Sequence, residues 1–119
     1  MDDKELQMLA AKAAGVELHG EFCEALGFPA RQEQRGWWYP LADDGDSLRL
    51  AVKLQMFIYN DHIMSGQVFV RVGEETFDSV FTGSDDGKPV ETEGVIPSDY
   101  ANTRRAIVQA AAEIGRAMP

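Results

Sequence analysis

The stretch of sequence that decides the fold is residues 56–81, which read MFIYNDHIMSGQVFVRVGEETFDSVF. In three runs its apolar residues recur with the period of two that is typical of β-strands. These runs are 56–59, 68–72 and 76–81. The link 73–75 is short enough for a hairpin, and the link 60–66 allows a looser one. Because short links join antiparallel neighbours, the stretch predicts an antiparallel β-meander.

On the N-terminal side of this stretch, helical periodicity predicts a first helix over residues 3–14. Asp2 and Glu5 form a capping pair, apolar residues then repeat at helical spacing, and Gly15 suits the left-handed residue that ends a helix. Residues 16–18 alternate and favour the start of a short strand, whereas residues 21–35 keep neither period and are predicted to be irregular.

Two further helices are predicted beyond this region. After a short aromatic strand at 37–39, aspartates cap a second helix over 46–55, whose apolar residues cover much of its circumference. We therefore expect that helix to be substantially buried. A third helix is capped by Ser98 or Asp99 and carries its apolar residues on one face.

Together these elements predict a single α+β domain over residues 1–119. An antiparallel meander of three to five strands packs with three helices, in layers of the α/β/α type. The expected core residues are Leu6, Leu9, Leu48, Val52, Phe57, Val70, Phe77, Ile107 and Ile114.

Charge is the compositional outlier of the chain. Twenty acidic residues against eleven basic ones give a net charge of −9, which disfavours direct binding to nucleic acid and to anionic membranes. Acidic residues concentrate between 74 and 93, and we expect 83–98 to form an exposed acidic loop. Such a run is either a solvated surface that keeps the protein in solution or a surface that meets a basic partner.

Catalytic and cofactor motifs are missing from the sequence. The pair His19 and Cys23 supplies only two of the roughly four ligands that zinc needs, so no metal or cofactor is expected. No Gly-x-Ser-x-Gly pattern surrounds a serine, and no glycine-rich loop opens a helix. The sequence therefore predicts a protein that is not an enzyme. The competing hypothesis is a metal-dependent hydrolase built on Asp85, Asp86 and Glu91.

The expected compartment is the cytoplasm. Cys23 is the lone cysteine, which excludes an internal disulfide framework. The first twenty residues carry acidic side chains where a secretory peptide needs basic ones, and no apolar run approaches the ~20 residues of a membrane span.

Three stretches of the chain carry a resemblance to a known group of proteins. They read LAAKAAG at 9–15, PLADDGDSLRLAVKL at 40–54 and YANTRRAIVQAAA at 100–112. They resemble small proteins of tailed bacteriophages and prophages, described as having a phage alpha-beta-alpha sandwich domain. The resemblance covers the helices and excludes the acidic segment. It implies an accessory phage product acting in the bacterial host cytoplasm, and it supplies no catalytic residues.

The expected function is therefore protein binding without catalysis. One hypothesis is an acidic, anti-CRISPR-like or other anti-defence inhibitor that occupies a basic nucleic-acid-binding host protein. The alternative is a self-associating structural or assembly protein of the phage, a homodimer through exposed aromatics at 37–39. The candidate partner-binding residues are Glu74, Glu75, Asp78, Asp85, Asp86, Glu91, Glu93, Trp37 and Trp38.

Overall fold

Three helices and five strands form along the residues that the computed structural model describes, which are 2–30, 36–61, 67–73, 75–81 and 97–119. For residues 75–81, 97 and 98 the description is of the backbone. The helices are α1 (Asp3–Ala14), α2 (Asp44–Lys53) and α3 (Pro97–Ala117). The strands are β1 (Phe28–Pro29), β2 (Trp37–Trp38), β3 (Phe57–Asp61), β4 (Gln67–Val72) and β5 (Glu75–Phe81).

The first helix has the predicted bounds and the predicted caps. The Asp2 carboxylate accepts a hydrogen bond of 2.8 Å from the Glu5 backbone N–H. Gly15 ends the helix in the left-handed region, at a φ of 72°. Both caps satisfy backbone groups that a helix end leaves without intrahelical partners.

The second helix begins two residues earlier than predicted, because Asp43 is its N-cap. The Asp43 carboxylate accepts from the Asp46 N–H at 2.8 Å. Asp46 is itself buried and accepts from the Tyr39 N–H at 2.9 Å and from the Arg49 guanidinium at 2.6 Å. The Asp46 carboxylate therefore ties this helix to the segment after β2.

The predicted meander is confirmed as a three-stranded antiparallel sheet in the order β3-β4-β5. Ile58 pairs with Val70, and Val70 pairs with Phe77 across the next ladder. Gly73, at a φ of 61°, turns the chain between β4 and β5. The region predicted to be irregular contributes β1, which pairs with β2 in a separate two-stranded sheet.

Helix α3 lies against one face of the meander and also contacts α1 and α2. Val68 and Val70 pack there against Ala106 and Ala110 of α3. Helix α3 also crosses α1 at very short range, because a Cβ atom at Gly115 would overlap the Leu9 carbonyl group. The α+β class with three helices and an antiparallel meander is thus confirmed, and its core lies where α3 packs against α1, α2 and the inner sheet face.

The prediction of a core position is wrong for three residues. Leu48, Val52 and Phe57 are 62%, 68% and 57% exposed. Helix α2 buries the opposite side, through Asp46, Ser47, Leu50 and Ala51, so its outward apolar residues have no layer to cover them. Phe57 lies on the sheet face away from the helices. Of the others, Leu6, Val70 and Ile107 are buried, Leu9 and Ile114 are half-buried, and the side chain of Phe77 lies outside the description.

Candidate functional site

Most of the acidic candidates lie outside the described residues. These are Glu74, Asp85, Asp86, Glu91 and Glu93, together with nearly all of the predicted loop 83–98, of which residues 97 and 98 belong to α3. The structure places the backbone of Glu75 and Asp78 on β5.

The tryptophan candidates separate into one exposed and one buried side chain. Trp37 is 38% exposed, whereas Trp38 is 2% exposed and belongs to the core with Leu50 and Ala51. The expectation that residues 37–39 present an exposed aromatic run is therefore wrong for Trp38. Successive strand residues point to opposite sides, so only one tryptophan of the pair reaches the surface.

An exposed aromatic surface does exist, but on the meander. Phe57 and Tyr59 of β3 and Phe69 and Arg71 of β4 line a cavity of about 290 Å³ on the sheet face away from the helices. The Tyr59 and Phe69 ring centroids lie 6.3 Å apart, and the Arg71 guanidinium carbon lies 4.8 Å from the Phe57 ring centroid. We call these four residues the open face. Clustered exposed rings are typical of surfaces that meet another molecule.

A second cavity lies on the other side of β3. It has a volume of about 420 Å³ and lies between α2, the first half of α3 and the inner face of β3. Residues of α2 and α3 line it together with Ile58 and Asn60, two inward-facing residues of β3. We call it the α2–α3 cavity. Its lining residues are Asp44, Ser47, Leu48, Ile58, Asn60, Asp99, Tyr100, Thr103, Arg104 and Ile107.

The polar groups of the α2–α3 cavity are held in place by specific bonds. Arg104 donates through Nη1 to the Asp44 carboxylate at 2.6 Å and through Nε to the Leu41 carbonyl at 2.9 Å. Thr103 Oγ1 lies 3.1 Å from Asn60 Oδ1 and 2.8 Å from the Asp99 carbonyl oxygen. These bonds join the two helices and β3 around an apolar space, an arrangement typical of ligand pockets.

Ser47 is the exception among these polar groups. Its side chain is buried, and its Oγ has no hydrogen-bond partner among the described residues. Buried hydroxyl groups in folded proteins almost always have a partner, so an orphaned one beside a cavity calls for an explanation.

No metal centre or membrane span is found in the described part of the chain. No group of three or more His, Cys, Asp or Glu side chains is placed there to hold a metal ion. His19 lies 3.7 Å from the Glu17 carboxylate, and Cys23 is half-buried. None of the helices in the described ranges is long and apolar enough to cross a membrane.

A comparison of the chain with models of known protein families, with curated proteins and with solved structures found no match.

Sequence reasoning missed both cavities. The signal for the open face was present, since Phe57 and Tyr59 alternate with Ile58 along one strand. A strand with apolar residues on both faces is typical of a sheet that is covered on both faces, and the sequence therefore predicts Phe57 in the core. The α2–α3 cavity depends on how α2, α3 and β3 meet in the fold, which no local sequence pattern encodes.

Proposed function

We propose that this chain is a non-enzymatic phage accessory protein that binds a basic protein in the cytoplasm of the bacterial host. The observation that carries the proposal is the open face, where Phe57 and Tyr59 are more than half exposed next to Phe69 and Arg71. Aromatic side chains and arginine are the residues in which protein interfaces concentrate their binding energy.

The charge of the chain favours a basic partner. With a net charge of −9, long-range attraction accelerates association with a positively charged surface and suppresses acidic partners. A basic nucleic-acid-binding protein of a host defence complex has such a positively charged surface. It is the kind of target that an anti-CRISPR-like inhibitor occupies. The resemblance of residues 9–15, 40–54 and 100–112 to small phage proteins supports the phage assignment.

Exposed rings beside an arginine also occur where single-stranded nucleic acid binds, so nucleic-acid binding is a competing function for the open face. Such sites combine stacking rings with a positively charged groove. Arg71 is the one cation of the open face and already lies over Phe57. The net charge further opposes a polyanionic ligand, and protein binding is the better account.

The alternative function is self-association, as a structural or assembly protein of the phage. It is favoured by the same open face, which offers a second copy the apolar area that a homodimer interface needs. Against it, each copy carries a net charge of −9, and like charges oppose association unless the interface buries much apolar surface.

The proposal is tested by affinity capture from a bacterial host extract with three baits. These are the wild-type protein, a Phe57→Ser, Tyr59→Ser double variant, and a Met8→Ser, Leu26→Ser double variant that removes exposed apolar side chains elsewhere. A captured basic protein should be retained by the wild type and the control and lost by the open-face variant, because each aromatic anchor contributes about 2 kcal/mol.

Equal capture by all three baits would contradict the proposal. Sedimentation of the isolated protein tests the alternative: a stable dimer that dissociates in the open-face variant, together with no captured host protein, would favour self-association.

A further inference from the structure

The α2–α3 cavity has the size and the lining of a small-molecule site. Its volume of about 420 Å³ lies within the range of ligand pockets, ~300–1,000 Å³. Most of its surface is apolar and comes from Leu48 of α2, Ile58 of β3, and Tyr100 and Ile107 of α3. A ligand with an apolar body therefore fits it.

Two large side chains that line this cavity are left uncovered. Leu48 is 62% exposed on α2, and Tyr100 is 56% exposed on α3. They reach the cavity from different helices. An apolar ligand between them would remove their surface from water, which is the main source of binding free energy in such pockets.

The polar groups around the cavity are held in place by the fold itself. Arg104 is fixed by the Asp44 carboxylate at 2.6 Å and by the Leu41 carbonyl at 2.9 Å. Thr103 Oγ1 lies 3.1 Å from Asn60 Oδ1, a contact that joins α3 to β3. Because these side chains are already ordered, a ligand binds without the entropic cost of ordering them.

Arg104 offers a ligand a hydrogen-bond donor. Its Nε and Nη1 groups donate to Leu41 and Asp44, and no described residue accepts from its Nη2 group. The Arg104 side chain is 19% exposed, so the surrounding protein shields from water a bond made there. Ser47 also lines the cavity, but its Oγ is buried in the wall, out of a ligand's reach. Arginine is a donor only, so the matching ligand group is an acceptor.

Charge decides which kind of acceptor fits. The Asp44 carboxylate lies 2.6 Å from the Arg104 guanidinium and neutralises it. An anionic ligand would meet that carboxylate and the net charge of −9 on the chain. A cationic ligand would lie beside the guanidinium and could not accept from it. A neutral carbonyl oxygen accepts the bond and meets neither repulsion.

We propose that the α2–α3 cavity binds a neutral, largely apolar small molecule whose carbonyl oxygen accepts a hydrogen bond from the Arg104 guanidinium. The cavity lies on the inner side of β3, whereas the open face lies on the outer side. The proposal therefore adds a small-molecule site to the protein-binding surface of the proposed function and does not depend on it.

Three probes of similar size test the ligand chemistry: phenylacetamide, phenylacetate and phenethylammonium, which are neutral, anionic and cationic. Each is titrated into the full chain and followed by NMR. Phenylacetamide should bind with a Kd in the millimolar range or below and shift the amide resonances of Leu48 and Tyr100 and the Nε–H resonance of Arg104. Each charged probe should bind at least about fivefold more weakly.

A matched pair of variants tests the place of binding. Leu48 lines the cavity, and Val52, one turn further along α2, is not among its lining residues, although both are exposed. Leu48→Ser removes apolar contact with the ligand and should weaken phenylacetamide by about fivefold. Val52→Ser makes a similar change outside the cavity and should weaken it by less than about twofold.

The variant Asp44→Asn tests the acceptor. It removes the negative charge beside Arg104 and keeps a side-chain oxygen that can accept from it. Phenylacetate should then bind at least about fivefold more tightly, because its carboxylate no longer meets a like charge. The affinity for phenylacetamide should change by less than about twofold.

The proposal is overturned if phenylacetamide shows no saturable binding at millimolar concentration, if the three probes bind equally, or if Leu48→Ser and Val52→Ser have equal effects. An unchanged ratio of phenylacetate to phenylacetamide affinity in Asp44→Asn would remove the carbonyl group from Arg104 and overturn it too. Capture of a host protein through Phe57 and Tyr59 is a separate measurement, so the proposed function and this site can fail independently.

Discussion

At the scale of single residues, two helical hydroxyl groups differ in whether they find a partner. Ser47 Oγ is buried without one among the described residues, whereas Thr103 Oγ1 contacts both Asn60 and the Asp99 carbonyl oxygen. A buried polar group without a hydrogen bond destabilises a fold, and a satisfied one contributes about 1 kcal/mol.

The substitutions Ser47→Ala and Thr103→Ala should therefore have opposite effects. Ser47→Ala removes the orphaned hydroxyl and gains helix propensity, and we expect it to raise the free energy of unfolding by about 1 kcal/mol. Thr103→Ala should lower it by about 0.5–1 kcal/mol, because Asn60 loses a contact. Urea denaturation of both variants measures the difference, and a destabilised Ser47→Ala protein would show that the hydroxyl has a partner.

The phenol of Tyr39 gives a prediction in pH. Burial, and then the negative charges of Glu24, Asp3 and Cys23, raise its pKa above the ordinary value of 10.0. The folded state therefore keeps the proton at a pH where the unfolded chain has lost it. The resulting stabilisation is present in full below pH 10 and decreases as the pH rises through the raised pKa.

A Tyr39→Phe variant should lack this alkaline decrease in unfolding free energy. It should also be less stable at neutral pH by about 0.5–1 kcal/mol, because the Tyr39 hydroxyl donates to the Glu24 carbonyl at 3.0 Å. Tyr100→Phe, which leaves Tyr39 intact, serves as the control and should retain the decrease. Identical pH profiles for the wild type and Tyr39→Phe would contradict the account.

At the scale of elements, the close crossing of α1 and α3 depends on Gly115. A Cβ atom there would overlap the Leu9 carbonyl group of α1, and neither backbone yields without moving a helix. At Gly45 in α2 an added Cβ atom would meet mainly the ends of the Arg49 and Asp43 side chains, at 3.2 Å.

Alanine should therefore have opposite effects at the two glycines. We expect Gly115→Ala to lower the free energy of unfolding by about 1–3 kcal/mol through overpacking. Gly45→Ala should be neutral or raise it by up to ~1 kcal/mol, as expected for alanine in place of glycine in a helix. Thermal denaturation compares them, and an unchanged melting temperature for Gly115→Ala would show that the helices cross farther apart.

The sequence predicted the elements where local chemistry is decisive. The capping pair at Asp2 and the stop at Gly15 set the bounds of α1, and the period of two located the three strands of the meander. It missed β1 because a two-residue strand that contains Pro29 has no measurable period. It placed Leu48 and Val52 in the core because periodicity shows that a helix has apolar residues, not which layers exist to cover them.

At the scale of the whole molecule, the distribution of charge predicts how a partner associates. Reversing Glu74, Glu75, Asp85 and Asp86 to Lys, each a change of two charges, takes the net charge from −9 to −1. Association with a basic partner should then slow and lose most of its dependence on ionic strength, with a Debye length of ~8 Å at physiological salt.

The open-face variant Phe57→Ser, Tyr59→Ser should act on the other rate constant. It leaves the charge unchanged and removes apolar contacts, so dissociation should accelerate while association stays salt-dependent. Surface plasmon resonance at low and high salt separates the two effects. If the charge-reversed protein associates like the wild type, the acidic residues keep the protein in solution and do not steer it.

The sequence predicted exposed aromatic residues but not where in the fold they lie. Trp37 and Trp38 were both predicted to bind a partner, yet successive strand residues point to opposite sides and Trp38 is buried. The exposed rings instead come from β3 and β4, which are brought together by a register that pairs Tyr59 with Phe69. Pairing between strands, rather than any local motif, creates this surface.

Amide hydrogen exchange of the full chain, with and without its captured partner, tests most directly whether β3 and the open face form the binding surface. The account predicts slowed exchange across residues 57–61 and 67–72, with α1 unchanged, because the partner lies on β3 and over Phe57, Tyr59 and Phe69. Slowed exchange confined to α1, to residues 22–30 or to the acidic segment 82–96 would contradict it and place the binding surface elsewhere.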